Sequence, residues 1–344
     1  MKKCLYLSLI LCFLSAFVAC EEPTEGNMHG NGNSTSSSGG NTSNPETDTT
    51  DFLYLQTLQG HDDRVTSVCW TPNGRYLLSG SWDESLVIWN METEQKLWDL
   101  EWQDEILSVT CSPDGQYTAA AYTNYSIIIW DIENGWKIKT IGGTQIRTLN
   151  SVSWSPDGNY IAAAYEDANI IVWDVQSGEI FKTFSGHSSG VNSVCWSPDG
   201  KYLASGSNDY SIIIWEFSSG QKLKTLQGHS SYVNSVCWSP NGNYIASGSS
   251  DKAVVVWNSY NGQIVKTFNK HTGSVLSVSW SPNGKYLLSG SSDKNIIVWG
   301  VNSGQKLKTL QGHSGAIKSV SWSPDGRFFA SGSNDATIKI WGVE

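Results

Sequence analysis

Between Gly186 and Gln227 the chain reads GHSSGVNSVCWSPDGKYLASGSNDYSIIIWEFSSGQKLKTLQ, in which four short runs rich in β-branched, aromatic and aliphatic residues alternate with polar breaks. The runs are VNSVCWS, KYLASGS, SIIIWEF and QKLKTLQ. The breaks SPDG, SND and SSG carry turn chemistry: proline presets φ, glycine accepts positive φ, and asparagine and aspartate hydrogen-bond their own backbone. Short strands separated in this way predict a small antiparallel sheet. The same phrase, with variations, continues to the C-terminus.

The tryptophan that closes the third run recurs as Trp89, Trp130, Trp173, Trp215, Trp257, Trp299 and Trp341, at spacings of 41, 43, 42, 42, 42 and 42 residues, which makes seven units. A second series in the first run comprises Trp70, Trp154, Trp196, Trp238, Trp280 and Trp322, with Cys111 substituting in the second unit. Thirteen of the 17 tryptophans thus hold fixed repeat positions, which points to core packing rather than to a ligand platform. One repeated all-β unit can fill 344 residues as a single body.

Gly-His pairs stand at Gly60-His61, Gly186-His187, Gly228-His229 and Gly312-His313, the turns read SPDG or SPNG, and the third runs end in IWD- or VWD-like form, with Trp-Asp itself at Trp130-Asp131 and Trp173-Asp174. In these features the chain resembles the WD-repeat β-propellers over residues 52–344. The resemblance implies an all-β, seven-bladed β-propeller of four-stranded antiparallel blades. The last unit ends at Trp341-Gly342-Val343-Glu344 without a fourth run, whereas LYLQTLQ at 53–59 precedes the first Gly-His and matches KLKTLQ at 306–311. The N-terminal strand is therefore expected to close the ring, leaving only short, protected edges.

Four residue types recur at fixed offsets in five units: His61, Ser79, Asp83, Trp89; His187, Ser205, Asp209, Trp215; His229, Ser247, Asp251, Trp257; His271, Ser289, Asp293, Trp299; and His313, Ser331, Asp335, Trp341. His, Ser and Asp together suggest a nucleophilic triad, but a nucleophile needs one strained, exposed site and not five copies. The family resemblance implies instead a hydrogen-bonded structural tetrad inside each blade, each bond contributing about 0.5–1.5 kcal/mol net. In the second and third units Trp102 and Gln145 occupy the His position, and the ASGS run becomes AAAY at 119–122 and 162–165. His and Ser disappear together, as a buried network requires, since losing both partners costs less than stranding one. Asp167 and Asn124 keep the turn-capping position.

Charge and composition narrow the partners. With 32 acidic and 22 basic residues the formal charge is -10, and no Lys/Arg-rich run appears, which argues against nucleic acid. Residues 1–19 start with Lys2 and Lys3 and continue with an apolar run, Leu5 to Val18. That run is shorter than the roughly 20 residues a spanning helix needs and reads as an export signal peptide. Phe17-Val18-Ala19-Cys20 resembles the lipobox of bacterial lipoproteins. This implies lipidation of Cys20 and anchorage in a bacterial envelope, on the periplasmic face or the cell surface, with secretion as the outcome if Cys20 is not lipidated. Residues 20–51, rich in Gly, Asn, Ser and Thr, are expected to form a flexible tether with a reach of roughly 30 Å.

Cys69, Cys195 and Cys237 precede the first-run tryptophan, where other units have Ser153, Ser279 or Ser321. They read as small buried residues, and equivalent positions on adjacent blades are expected to lie too far apart for a disulfide. The chain lacks C-x-x-C spacing, a Gly-rich phosphate loop and an unrepeated nucleophile and base, so no metal, cofactor or catalytic residue is assigned. A rigid disk with variable loops is a recognition surface. The resemblance points to the face holding the Gly-His loops, at the residues three and five after the His position and the one before the turn Asp. Those residues are Arg64, Thr66 and Trp82; Glu105, Leu107 and Thr123; Thr148, Asn150 and Glu166; Gly190, Asn192 and Asn208; Tyr232, Asn234 and Ser250; Ser274, Leu276 and Ser292; and Ala316, Lys318 and Asn334. Arg64, Trp82 and Tyr232 are of the types that dominate interfaces. The expected protein is a monomeric, non-enzymatic scaffold that binds a protein or peptide on this face. The alternative is glycan or small-molecule binding in the channel or at Trp82, Trp98, Trp102 and Trp136, and an envelope hydrolase is a third reading.

Overall fold

The computed structural model describes residues 50–143 and 148–344. The signal segment, Cys20, nearly all of the tether and Gln145 lie outside the described residues. Among the described residues the regular structure consists of 28 strands in seven four-stranded antiparallel sheets. The first sheet, blade 1, takes β2 (Val65–Trp70), β3 (Tyr76–Ser81), β4 (Ser85–Asn90) and β5 (Gln95–Glu101) in chain order, and blades 2 to 6 repeat this meander. The innermost strands contact one another around the ring, and that of blade 7 (Ile317–Trp322) returns to β2.

Each strand's composition follows from its place. The second and third strands of a blade are sandwiched between neighbouring blades, so YLLSGS of β3 is buried throughout and SLVIWN of β4 is buried up to its last residue. A strand buried on both faces reads as a continuous apolar run, whereas the outer strand QKLWDLE faces solvent and is largely exposed. Close approach of the blades demands glycine at Gly206, where an added Cβ would lie 2.5 Å from Val233 of blade 5. In the SPDG turn that follows the inner strand of blade 4, the Asp199 carboxylate accepts from Ser197 Oγ at 2.7 Å and from the Lys201 N–H at 3.1 Å, and Gly200 takes φ +69°.

The ring closes with its own N-terminus. Blade 7 has the order β1 (Phe52–Leu58), Ile338–Val343, Phe328–Ser333, Ile317–Trp322. β1 pairs antiparallel with Ile338–Val343, from Phe52 opposite Val343 to Leu58 opposite Ile338. The Phe52 ring lies edge-on to Tyr286 of blade 6 at 5.4 Å and to Trp322 at 6.5 Å. Main-chain bonds between Asp51 and Glu344, at 3.1 and 3.0 Å, extend the pairing past both strand ends.

Adjacent blades are stitched together by a serine that stands at the same repeat position in all seven units. Its hydroxyl accepts a main-chain N–H from the next inner strand: Val109 to Ser67 at 3.1 Å, Val152 to Ser108 at 3.2 Å, Val236 to Ser193 at 3.1 Å, Val278 to Ser235 at 3.2 Å, Val320 to Ser277 at 3.1 Å and Val68 to Ser319 at 3.1 Å. Two residues further on lies a second rung, seen where Trp154 N–H meets Thr110 Oγ1 at 3.3 Å and Trp322 N–H meets Ser279 Oγ at 3.4 Å. The serine position was not singled out from the sequence, although its presence in every unit was the available signal.

Among the described residues Cys69, Cys111, Cys195 and Cys237 are free, although they stand side by side on the ring. Inner strands related by the ring's rotation run parallel and in register, so equivalent positions adjoin. The thiols of Cys69, Cys195 and Cys237 each donate to the carbonyl of the following tryptophan, Trp70, Trp196 and Trp238, at 3.5 Å.

Deleting residues 52–59 removes the outer strand of blade 7 and uncovers Phe329 and Trp341, which pack on one another at 6.1 Å. The truncated protein is expected to lose its cooperative melting transition and to aggregate. A soluble protein with an unchanged transition by calorimetry refutes this account of closure.

Candidate functional site

In five blades the His, Ser, Asp and Trp side chains meet. In blade 4, His187 Nδ1 lies 2.8 Å from Asp209 Oδ2, His187 Nε2 lies 2.8 Å from Ser205 Oγ, and Trp215 Nε1 donates to the same hydroxyl at 2.8 Å. Since the carboxylate accepts from Nδ1–H, the neutral ring accepts the serine O–H at Nε2. The tetrads of His61, His229, His271 and His313 repeat the histidine-to-aspartate distance at 2.8–2.9 Å. Ser79, Ser205, Ser247, Ser289 and Ser331 are fully buried, and each hydroxyl already accepts a tryptophan N–H. The arrangement therefore ties the inner hairpin of a blade to its third strand, and no substrate atom can approach these serines.

The aspartate has a second task. Its other oxygen accepts the N–H two residues on, as Ser211 N–H does to Asp209 Oδ1 at 2.9 Å, which holds the intervening Tyr210 at φ +71°. Burial pushes the Asp209 carboxyl up, but hydrogen bonds from Ser211, the Ser188 N–H and His187 outweigh it and hold the group at about 2. Burial pulls His187 and His271 below their ordinary value of 6.5, and their aspartates only partly offset this.

Blades 2 and 3 are rebuilt around tyrosine. Tyr165 stands where the intact blades have the serine two residues beyond the tetrad serine, and its hydroxyl accepts Trp173 Nε1–H at 3.2 Å. In blade 2, Tyr122 faces Trp130, and both polar atoms stay buried without a hydrogen-bond partner. Trp102 fills the histidine place, edge-on to Trp130 at 5.9 Å, with Lys137 Nζ 4.1 Å from its ring centroid. Asn124 accepts the Ser126 N–H at 3.0 Å and donates to Asp104 at 2.6 Å, so the turn cap survives without the tetrad.

The loop face is built by a bulge. In every blade the pairing of the inner strand slips at its second residue, for example between Val65 and Ser67 and between Ile317 and Ser319. A bulge re-aims its side chain, here Thr66, Leu107, Asn150, Asn192, Asn234, Leu276 and Lys318. The polar ones clasp the next blade: Thr66 Oγ1 donates to Ile106 O at 2.7 Å, Asn150 to Val191 O at 2.9 Å, Asn192 to Val233 O at 3.0 Å and Asn234 to Val275 O at 2.8 Å. Asn192 also donates to Asn208 at 2.7 Å, Asn234 to Ser250 at 3.0 Å and Asn150 to Glu166 at 3.0 Å. Thr66, Asn192 and Asn234 thus carry an inter-blade role that their variability in the sequence did not disclose.

Lys318 breaks this pattern. It has no hydrogen-bond or ion-pair partner among the described residues, and burial, followed by the like charge of Arg64, lowers its pKa. Arg64 lies 4.4 Å over the Trp82 ring, so two cations and an aromatic converge at the seam of blades 7 and 1. On the same face Tyr232 and Tyr210 pair at 5.7 Å, both about half exposed. Thr148, Glu166 and Asn334 are exposed there and Glu105 is half-buried. The four tryptophans of the alternative reading form no common platform. Trp82 lies under Arg64, Trp102 is packed inside blade 2, Trp98 donates to Glu133 O at 3.1 Å on the outer strand of blade 1, and Trp136 is exposed beyond it.

The tetrads make stability fall with acid. Folded His187 and His271 have pKa values below 6.5, so their contribution is complete above about pH 6.5 and is lost as the pH falls below it. Asp209, held at about 2 against an ordinary 3.8, contributes above 3.8 and loses this as the pH falls toward 2. Urea midpoints are expected to drop between about pH 7.5 and 5 and again between about 4 and 2.5. An unchanged midpoint across the first interval overturns the neutral, buried histidine.

A family model described as WD domain, G-beta repeat matches residues 52–90, 220–258, 262–300 and 304–342, and one described as Echinoderm microtubule-associated protein second beta-propeller matches 77–232. The first match runs from β1 through β4, so a sequence repeat straddles two blades. The chain is similar to the guanine nucleotide-binding protein subunit beta of Oryza sativa subsp. indica and of Zea mays, at 45% identity over 47 residues. It is similar also to that of Nicotiana tabacum, at 43% over 47 residues. The aligned stretch spans 14% of this chain and 12% of each relative. The chain thus carries WD repeats and folds as a seven-bladed β-propeller of four-stranded antiparallel blades.

Proposed function

We propose that this chain is a non-enzymatic scaffold that binds a protein or peptide on its loop face, centred on the seam of blades 7 and 1, and that a lipid on Cys20 tethers it to a bacterial envelope membrane. WD-repeat propellers are typically protein-interaction scaffolds. The observation that carries the reading is the meeting of Arg64, Trp82 and the unpartnered Lys318 in a chain of net charge -10. A half-buried lysine beside a second cation is an electrostatic cost that a bound carboxylate relieves. The arginine stacked on indole offers a flat, partly desolvated anchor of the type that dominates interfaces. Acidic side chains or a chain-terminal carboxylate suit this seam, and Tyr210 with Tyr232, where blades 4 and 5 meet, offers a separate aromatic contact on the same face. The tether of residues 20–51 would allow the disk a reach of roughly 30 Å from the membrane.

In-cell crosslinking followed by mass spectrometry should recover a partner with the wild type. An Arg64→Ala, Trp82→Ala, Tyr232→Ala triple variant should bind it at least about 30-fold more weakly, with a melting curve that stays cooperative. Recovery of the same partner at wild-type yield by the triple variant sinks the assignment. The tether is tested separately: fatty-acid labelling should be present in the wild type and absent from Cys20→Ala, and equal labelling of the two excludes the anchor.

A further inference from the structure

Two residues after the tryptophan that closes its third strand, each blade places a side chain in the seam with the blade before it. Six blades use an apolar residue there, Met91, Ile132, Val175, Phe217, Val301 or Val343, and each packs against the apolar cluster of its seam. Blade 5 has Ser259, whose hydroxyl turns back to Gly242 O of its own blade at 2.8 Å. The seam of blades 4 and 5 keeps a cavity of about 480 Å³, bordered by the SPDG and SPNG turns at the end of the inner strands opposite the Gly-His loops. Tyr202 and Trp238, stacked at 6.4 Å, line it together with the exposed Leu223 and Tyr260. A larger cavity, about 680 Å³, lies at the seam of blades 7 and 1, but Met91 takes the seam position there.

A cation is left free at the same seam. In blades 2, 3 and 5 the lysine at the third residue of the outer strand donates to a hairpin carbonyl of the next blade: Lys139 to Val175 O at 3.1 Å, Lys182 to Phe217 O at 2.9 Å and Lys266 to Asn302 O at 2.8 Å. Lys224, their counterpart in blade 4, lines the cavity and has no hydrogen-bond or ion-pair partner among the described residues. Asp199 lines it too, but its carboxylate already accepts from Ser197 and the Lys201 N–H and lies 3.5 Å from Lys201 Nζ.

Neighbouring seams show what packs against such a tyrosine and tryptophan. Between blades 3 and 4 the Phe217 ring lies 4.7 Å from Trp196 and 5.1 Å from Tyr160, with Lys182 Nζ 5.8 Å from its centroid. Between blades 6 and 7 Phe52 packs edge-on against Tyr286 and Trp322. We propose that the seam of blades 4 and 5 binds a small aromatic carboxylate. Its ring takes the place on Trp238 and Tyr202 that Phe217 takes on Trp196 and Tyr160, and its carboxylate accepts from Lys224 Nζ. The cavity falls within the range of roughly 300–1,000 Å³ that small-molecule sites occupy. Burial of the ring drives binding, and the charge-assisted bond to the free ammonium selects the acid over a neutral analogue. The site is on the face opposite the loop-face seam and does not depend on it.

The test uses the full chain in isothermal titration calorimetry, with indole-3-acetate as probe and indole-3-acetamide as its neutral counterpart. The acid should bind with a Kd below about 1 mM, and the amide about 10-fold more weakly. Lys224→Met should lose that preference and bind both at the level of the amide. Ser259→Phe supplies the missing ring from within the chain, as Phe217 does one seam away, and should abolish binding of the acid while still melting cooperatively. The proposal falls if the wild type shows no saturable binding of the acid at about 10 mM, or binds the amide equally well. It falls also if Lys224→Met keeps the preference for the acid, or if a cooperatively melting Ser259→Phe still binds it. Should Ser259→Phe fail to fold, the comparison of acid and amide in Lys224→Met decides alone.

Discussion

A four-stranded blade leaves its innermost strand with an unpaired edge, and the serine hydroxyl of the preceding blade that accepts one of those orphan N–H groups turns separate sheets into a ring. An unmet edge N–H next to a buried core costs about as much as a lost hydrogen bond. The serines from Ser67 to Ser319 meet it at 3.1–3.2 Å at six of the seven interfaces. The constraint reaches outward. Blades close enough for that contact leave no room for a side chain at Gly206, and the strands between them must be apolar on both faces. In blade 7 the outer place is taken by β1, paired with Ile338–Val343.

Within a blade the tetrads do what the serine belt does between blades. They fix the turn that carries the left-handed residue after the aspartate, and so fix the loop face. Blades 2 and 3 reach a similar end by other means. Where His and Ser are gone, a tyrosine two residues further along fills the space, and in blade 3 its hydroxyl takes over as the tryptophan's acceptor. Blade 2 stops short of this, with the Tyr122 hydroxyl and Trp130 Nε1 buried without a hydrogen-bond partner.

With both networks repeated around the ring, identity lies in the few positions that escape them. The bulge residue clasps the neighbouring blade where it is Thr or Asn, and at blade 7 it is a lysine that clasps nothing. The cation–aromatic seam arises there because Arg64 and Trp82 of blade 1 come round to meet it.

The repeat, its turns, the number of blades and the closing strand were legible in the sequence, because each depends on local pattern: apolar runs of strand length, Gly, Asn and Asp at turns, and a period that counts itself. The grouping of His187, Ser205, Asp209 and Trp215 was also visible, since they travel together and vanish together. The roles of Thr66, Asn192 and Asn234 as clasps, the unpartnered state of Lys318 and the hydroxyl of Tyr165 on Trp173 were not. These follow from the lateral register of one blade against the next, or from a side chain reaching across a blade. A sequence period records that two positions are equivalent, but only the packed ring decides which equivalent positions touch.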